Sequence, residues 1–186
     1  MVTARKRLTL NQFLKLPEQE PALEFEEGRI TQKVSPRAEH SGVQSGILRL
    51  FEEYCAPRRL ARAFPELRFT LAGRSYVLDV SVYLWDHVLL DERGRVSSDP
   101  FPPPDIAIEI ASPEQSVGVL IAKCHWYVEN EVKAALLADP ADDSVRYFLP
   151  GQPYQTCFGD DRIDLSWLLP GLGLTPREVF ASLQMR

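Results

Sequence analysis

The chain has 186 residues, 45% of them hydrophobic, and carries 26 acidic side chains against 21 Lys and Arg, for a formal net charge of −5. That length suffices for one substantial core and is cramped for two, so a single domain over residues 1–186 is expected. The acidic balance excludes a general DNA-coating protein, because a polyanion would need a local cationic patch or bound metal ions to be held.

Met1 to Leu10 is basic but lacks the apolar run of a signal peptide, and no stretch approaches the ~20 apolar residues that cross a bilayer. Thr9-Leu10-Asn11-Gln12 has capping-box spacing and predicts a short helix ending before Pro17. Leu23 to Glu26 alternates up to Glu27-Gly28 and Arg29 to Val34 continues beyond it, which predicts a hairpin. Ser35-Pro36 then reads as an N-cap and first-turn proline. Val43, Ile47, Leu50, Phe51 and Tyr54 recur at helical spacing, so a helix should run from there to about Tyr54.

A basic turn with Arg58, Arg59 and Arg62 follows; these side chains either grip phosphates or complement the end of the helix. Ala63 to Leu71 and Ser75 to Trp85, split by Ala72-Gly73-Arg74, predict a second hairpin, and Asp86 to Pro104 a long surface loop. Ser112-Pro113-Glu114-Gln115 supplies cap, proline and glutamine for a helix with Val117, Leu120, Ile121, Cys124 and Val128 buried. Lys123 falls about 120° from the centre of that stripe, on its margin. Val132 to Ala138 and Ser144 to Leu149 read as strands, and Thr175-Pro176-Arg177-Glu178 starts a last helix. The order is α/β, with an α-β-β-β-α-β centre, a hairpin in front and strand and helix additions behind.

Cys55, Cys124 and Cys157 are odd in number and form no Cys-x-x-Cys, so neither a zinc ribbon nor a disulfide framework is expected and a reducing cytoplasm fits. Chemistry concentrates in two strands. In Asp105 to Ala111, alternation sends Ile106, Ile108 and Ile110 to one face and Glu109 to the other, between Ala107 and Ala111. In Val77 to Leu84, Leu78, Val80, Val82 and Leu84 should share the apolar face and Asp79, Ser81 and Tyr83 the opposite one. Two carboxylates beside a core need a compensating cation or donors, which makes Asp79 and Glu109 a candidate metal pair. A lone strand acid is otherwise an exposed or hydrogen-bonded structural residue, and Lys123 on a helix flank a solvated one. Without metal, the same pair would serve as general acid and base of a hydrolase.

The ordered set Leu23 to Gly28, Ser35-Pro36, His40, Leu78-Asp79-Val80-Ser81, Pro104 to Pro113, Lys123, Tyr127, Asp139-Pro140 and Leu169-Pro170-Gly171 resembles the Uma-type family of putative restriction endonucleases, a branch of the PD-(D/E)XK phosphodiesterase superfamily. The resemblance implies a restriction-endonuclease-like αβββαβ core with a central mixed sheet flanked by helices. It implies a Mg²⁺-dependent (or Mn²⁺-dependent) endonuclease acting on DNA. Asp79 and Glu109 would be catalytic and would ligate the ion with the Ile110 carbonyl. The lysine expected two residues after Glu109 is replaced by Ala111, and Lys123 matches the lysine that takes its place in this branch. Glu24 and His40 match further polar positions, Glu24 for catalysis and His40, with Arg58 and Arg59, for substrate. A cytoplasmic homodimer using the apolar segments Val132 to Ala138 and Trp167 to Leu169, with no membrane partner, completes the expectation. The alternative is a catalytically inactive nuclease-fold module for DNA binding or dimerisation.

Overall fold

The structure, a computed structural model, describes residues 8–98 and 100–185; most of the basic segment that opens the chain lies outside them. Helix α1 (Leu10–Phe13) carries the expected capping box, with Thr9 and Gln12 bonding each other's backbone N–H. Strands β1 (Leu23–Glu26) and β2 (Arg29–Gln32) form the first hairpin. Its turn needs positive φ at both Glu27 (49°) and Gly28 (85°), which is why a glycine stands there. Helix α2 (Ala38–Cys55) follows, then β3 (Ala61–Leu71), β4 (Arg74–Leu84), β5 (Ile106–Ile110), α3 (Val117–Glu129) and β6 (Ala134–Asp139). The chain closes with β7 (Ser144–Phe148), β8 (Gln155–Phe158), the pair β9 (Ile163–Asp164) and β10 (Gly173–Leu174), and α4 (Pro176–Phe180).

The run α2-β3-β4-β5-α3-β6 is the αβββαβ core. Seven strands follow one path, β2-β1-β4-β5-β6-β7-β8, and β3 pairs with β4 off that path. Only β5 and β6 run parallel, joined by the α3 crossover; the other pairs are antiparallel. Val43, Ile47 and Phe51 of α2 pack with Val80, Val82, Ile106 and Ile108 on one face of the sheet. Leu120, Cys124 and Tyr127 of α3 pack with Ala107, Ala111 and Leu137 on the other. Gly46 of α2 lets the last helical turn of the chain close in, since a Cβ there would lie 2.7 Å from Ser182 Oγ.

Four expectations about the fold differ from the structure. Both proline-led helix starts come too early: α2 is capped at Arg37 and α3 at Ser116, neither with a side-chain cap bond. Gln115 does reach back to the Ser112 N–H at 3.1 Å, so the motif makes a turn and not a helical start. Val132 to Ala138 contributes β6, a buried strand between β5 and β7, so it offers no free edge for a second copy.

The alternation of β4 also breaks. Val80 and Val82 face α2, whereas Leu78 and Tyr76 pack against α3. The switch sits where Glu66, the β3 residue opposite Asp79, takes φ of 49° and interrupts a ladder that is regular on both sides. A left-handed residue in one strand twists the pair sharply. Asp79 lies at that twist.

Candidate active site

Strand β3 pairs with β4 from Ala61–Leu84 to Leu71–Arg74 and so occupies one whole edge of it. Strands β1 and β5 must therefore share the other edge. β1 reaches it at Ser75 through Phe25, and β5 from Val80 to Val82. Residues 76–79 lie between the two, in a notch that no strand closes. Side chains close it instead: Glu24 Oε1 accepts the Val77 N–H at 3.0 Å and Asp79 Oδ2 accepts the Ile110 N–H at 2.7 Å. The β4–β5 ladder ends at the Val80–Ile108 pair, and Asp79 and Glu109 are the next residues beyond it on their strands.

Both acids are nearly inaccessible, Asp79 at 2% and Glu109 at 3% exposure. Asp79 leans toward α2, with Lys33 Nζ 2.7 Å from Oδ1 and His40 Nε2 3.3 Å from Oδ2. Gln44 Nε2 donates to the Asp79 carbonyl at 2.8 Å and to Glu66 at 2.9 Å. Glu109 leans toward α3, where its Oε1 accepts the Tyr127 hydroxyl at 2.6 Å and meets Lys123 Nζ at 2.9 Å. Lys123 also holds Glu24 at 2.8 Å and lies 4.7 Å over the Tyr76 ring. The two acids thus turn toward opposite faces of the sheet, each against its own ammonium.

Burial opposes ionisation of Asp79, but the His40 hydrogen bond and the Lys33 charge outweigh it and hold the carboxyl well below the usual carboxylate range. Burial pushes Glu109 up to about 7; Lys123 opposes the rise, and the charges of Asp79 and Glu24 add to it. Glu109 is thus the acid that takes a proton first. Burial disfavours the Lys123 ammonium too, yet Glu109 and Glu24 overcome this and hold it well above an ordinary lysine. Lys33 is raised in the same way, by Asp79 and Glu109 against its burial.

The donor chemistry is of the oxygen type that suits hard divalent cations. Among the described residues, no group of three or more His, Cys, Asp or Glu could hold a metal ion. Mg²⁺ does not need such a cage: it is held by one or two carboxylates and keeps several waters. Each acid of the notch already has an ammonium seated against it, so the position suits positive charge.

The structure thus gathers Asp79, Glu109, Ile110, Glu24, Lys123 and His40. It does not bring Arg58 or Arg59 to them. Those lie beyond the far end of α2, an 18-residue helix and so ~27 Å long, from His40 in its first turn. Arg58 stacks over Tyr54 at 4.2 Å and Arg59 over Trp85 at 5.3 Å. Lys33, Gln44 and the hydroxyl of Tyr127 belong to the cluster without having been singled out for it. Lys33 meets Asp79 across 46 positions of sequence, a separation with no local signature. A groove of about 480 Å³ opens onto the site from the α2 side, lined among others by Glu18, Glu20, Lys33, His40, Glu66 and Asp79.

A family model described as Uma2, putative restriction endonuclease, matches residues 10–177. The crystal structure of a putative nuclease belonging to DUF820 from Anabaena variabilis ATCC 29413 is 34% identical, covering 95% of this chain and 99% of that one, with a TM-score of 0.89. No curated protein matches. No helix of the described residues is long and apolar enough to cross a membrane.

Proposed function

The chain belongs to the Uma2 family of putative restriction endonucleases, and we propose that it hydrolyses DNA phosphodiester bonds as a Mg²⁺-dependent endonuclease, with Mn²⁺ able to substitute. The observation that carries this reading is the notch in which Asp79 and Glu109, the next residues beyond the end of the β4–β5 ladder, lie beside the Ile110 backbone. Asp79, Glu109 and the Ile110 carbonyl are the groups that would hold the ion. A bound Mg²⁺ supplies Lewis acidity at the phosphoryl oxygens and makes water a better nucleophile at neutral pH.

The remaining residues prepare that position. His40 and the Ile110 N–H fix Asp79 through Oδ2. Tyr127 fixes Glu109, and Lys123 ties Glu109 to Glu24, which in turn secures the Val77 N–H at the rim of the notch. Lys123 bridges Glu24 and Glu109 from α3, so its part is to position the acids. The groove itself carries Glu18, Glu20, Glu66 and Asp79 against Lys33 and Arg68, so a seated divalent ion would offset the acidic excess that a DNA backbone meets there. A single-domain cytoplasmic protein acting as a homodimer completes the reading, because cutting both strands of a duplex takes two sites. Trp167, 53% exposed, offers an apolar contact for the second copy.

A second reading is a nuclease fold that binds DNA or dimerises without cutting, favoured by Ala111 where the superfamily's lysine stands. Supercoiled plasmid incubated with Mg²⁺ or Mn²⁺, with and without chelator, separates the two. The nuclease reading expects nicking with metal that disappears in chelator and in Asp79→Ala and Glu109→Ala. Salt-sensitive DNA binding with no nicking in either metal would overturn it in favour of the second.

A further inference from the structure

Two lysines meet the acids of the notch, and they stand on opposite sides of it. Lys123 is enclosed by Glu24, Glu109 and the rings of Tyr76 and Tyr127, and it is absent from the lining of the groove. Lys33 lines that groove together with Asp79, His40, Gln44 and Glu66. Its Nζ is 2.7 Å from Asp79 Oδ1 and 2.9 Å from Glu66 Oε2, so one ammonium bridges a buried carboxylate and a half-exposed one.

An ammonium and a divalent cation seated together on Oδ1 of Asp79 repel each other, so each weakens the other's hold. Glu66 gives the displaced ammonium somewhere to go. It stands on the groove side, its side chain is 47% exposed, and Gln44 steadies its other oxygen at 2.9 Å. A flexible four-carbon stem lets the ammonium release Asp79 while it keeps Glu66.

We propose that Lys33 is the lysine that meets the substrate. It guards Asp79 while the site holds no divalent ion, moves toward Glu66 when an ion seats against Asp79, and there contacts a non-bridging oxygen of the phosphate in the groove. Lys123 remains a positioning residue throughout. This rests on the nuclease reading above and adds to it a residue that the sequence pattern did not single out.

The test compares the full chain with Lys33→Met and Lys33→Gln by two measurements. In the first, Mn²⁺ alone is titrated calorimetrically. With the competing ammonium gone, both variants should bind Mn²⁺ about tenfold more tightly, the scale on which neighbouring groups tune a metal site. In the second, plasmid nicking is followed at saturating Mn²⁺, where the variants should be slower by roughly a hundredfold, as for loss of one preorganised donor. Tighter metal with slower cleavage is a pairing that simple damage to the fold does not give. If the parent chain binds Mn²⁺ and nicks but either variant binds it no more tightly, or nicks at the parent rate, this inference falls and the nuclease reading stands. If the parent does neither, both fall.

Discussion

Replacing Lys123 by Met keeps the length of the side chain and deletes its charge, leaving two buried carboxylates that shared one cation. The lost contacts are 2.8 Å to Glu24, 2.9 Å to Glu109 and 4.7 Å to the Tyr76 ring. Removing one partner of a buried ion pair costs roughly 3–5 kcal/mol, because the charge left behind is neither solvated nor paired. For a chain of 186 residues each kcal/mol moves the thermal midpoint by about 2–4 °C, so Lys123→Met should melt about 10 °C lower near pH 8. The loss should shrink at pH 5. Glu109, with its pKa near 7, is already protonated there in the parent chain, so only Glu24 is stranded. Urea denaturation of both proteins at the two pH values measures the difference directly. A loss below about 1 kcal/mol at pH 8, or an equal loss at both pH values, would refute the assignment of Lys123 as the cation that holds the acids.

Glu109 gives a second pH signature. Its carboxyl is raised in the folded chain relative to the unfolded one, so the folded state binds the extra proton and stability should fall as pH rises from about 4.5 to about 7. Glu109→Gln should abolish that part of the decline in denaturation free energy, and an unchanged profile would contradict the burial assigned to the acid. Tyr127→Phe removes only the hydroxyl that donates to Glu109 at 2.6 Å, and should cost about 1–3 kcal/mol in urea unfolding. A loss within error of zero would mean that Glu109 is held without it.

What could be read from the sequence was mostly local. The boxes at Thr9 and Thr175 formed because each is closed within four residues, and both hairpin turns fell at their glycines. Ser35-Pro36 and Ser112-Pro113 carry the same cap chemistry yet precede the helices by a few residues, because proline also suits the extended or turning segment that leads into a helix. Alternation located Glu109 between Ala107 and Ala111 on the α3 face. It did not anticipate the twist at Glu66 that turns Leu78 toward α3, since a positive φ at a glutamate has no compositional mark. The notch was invisible for a different reason. It arises because β1 and β5 share one edge of β4, a matter of pairing between residues 50 positions apart at Phe25 and Ser75 and 24 to 28 apart between β4 and β5. Lys33, Gln44 and Glu66 enter the site only through that topology, and Arg58 and Arg59 are kept out of it by the length of α2.

Whether the notch between β1 and β5 holds a divalent cation through Asp79 and Glu109 can be read from a crystal soaked in Mn²⁺ and measured for anomalous scattering. One strong peak is expected, bounded by both carboxylates and the Ile110 carbonyl, with the Lys33 ammonium withdrawn from Asp79. A soaked crystal with no peak in the notch, and with Lys33 still seated against Asp79, would rule out a metal held by these two acids.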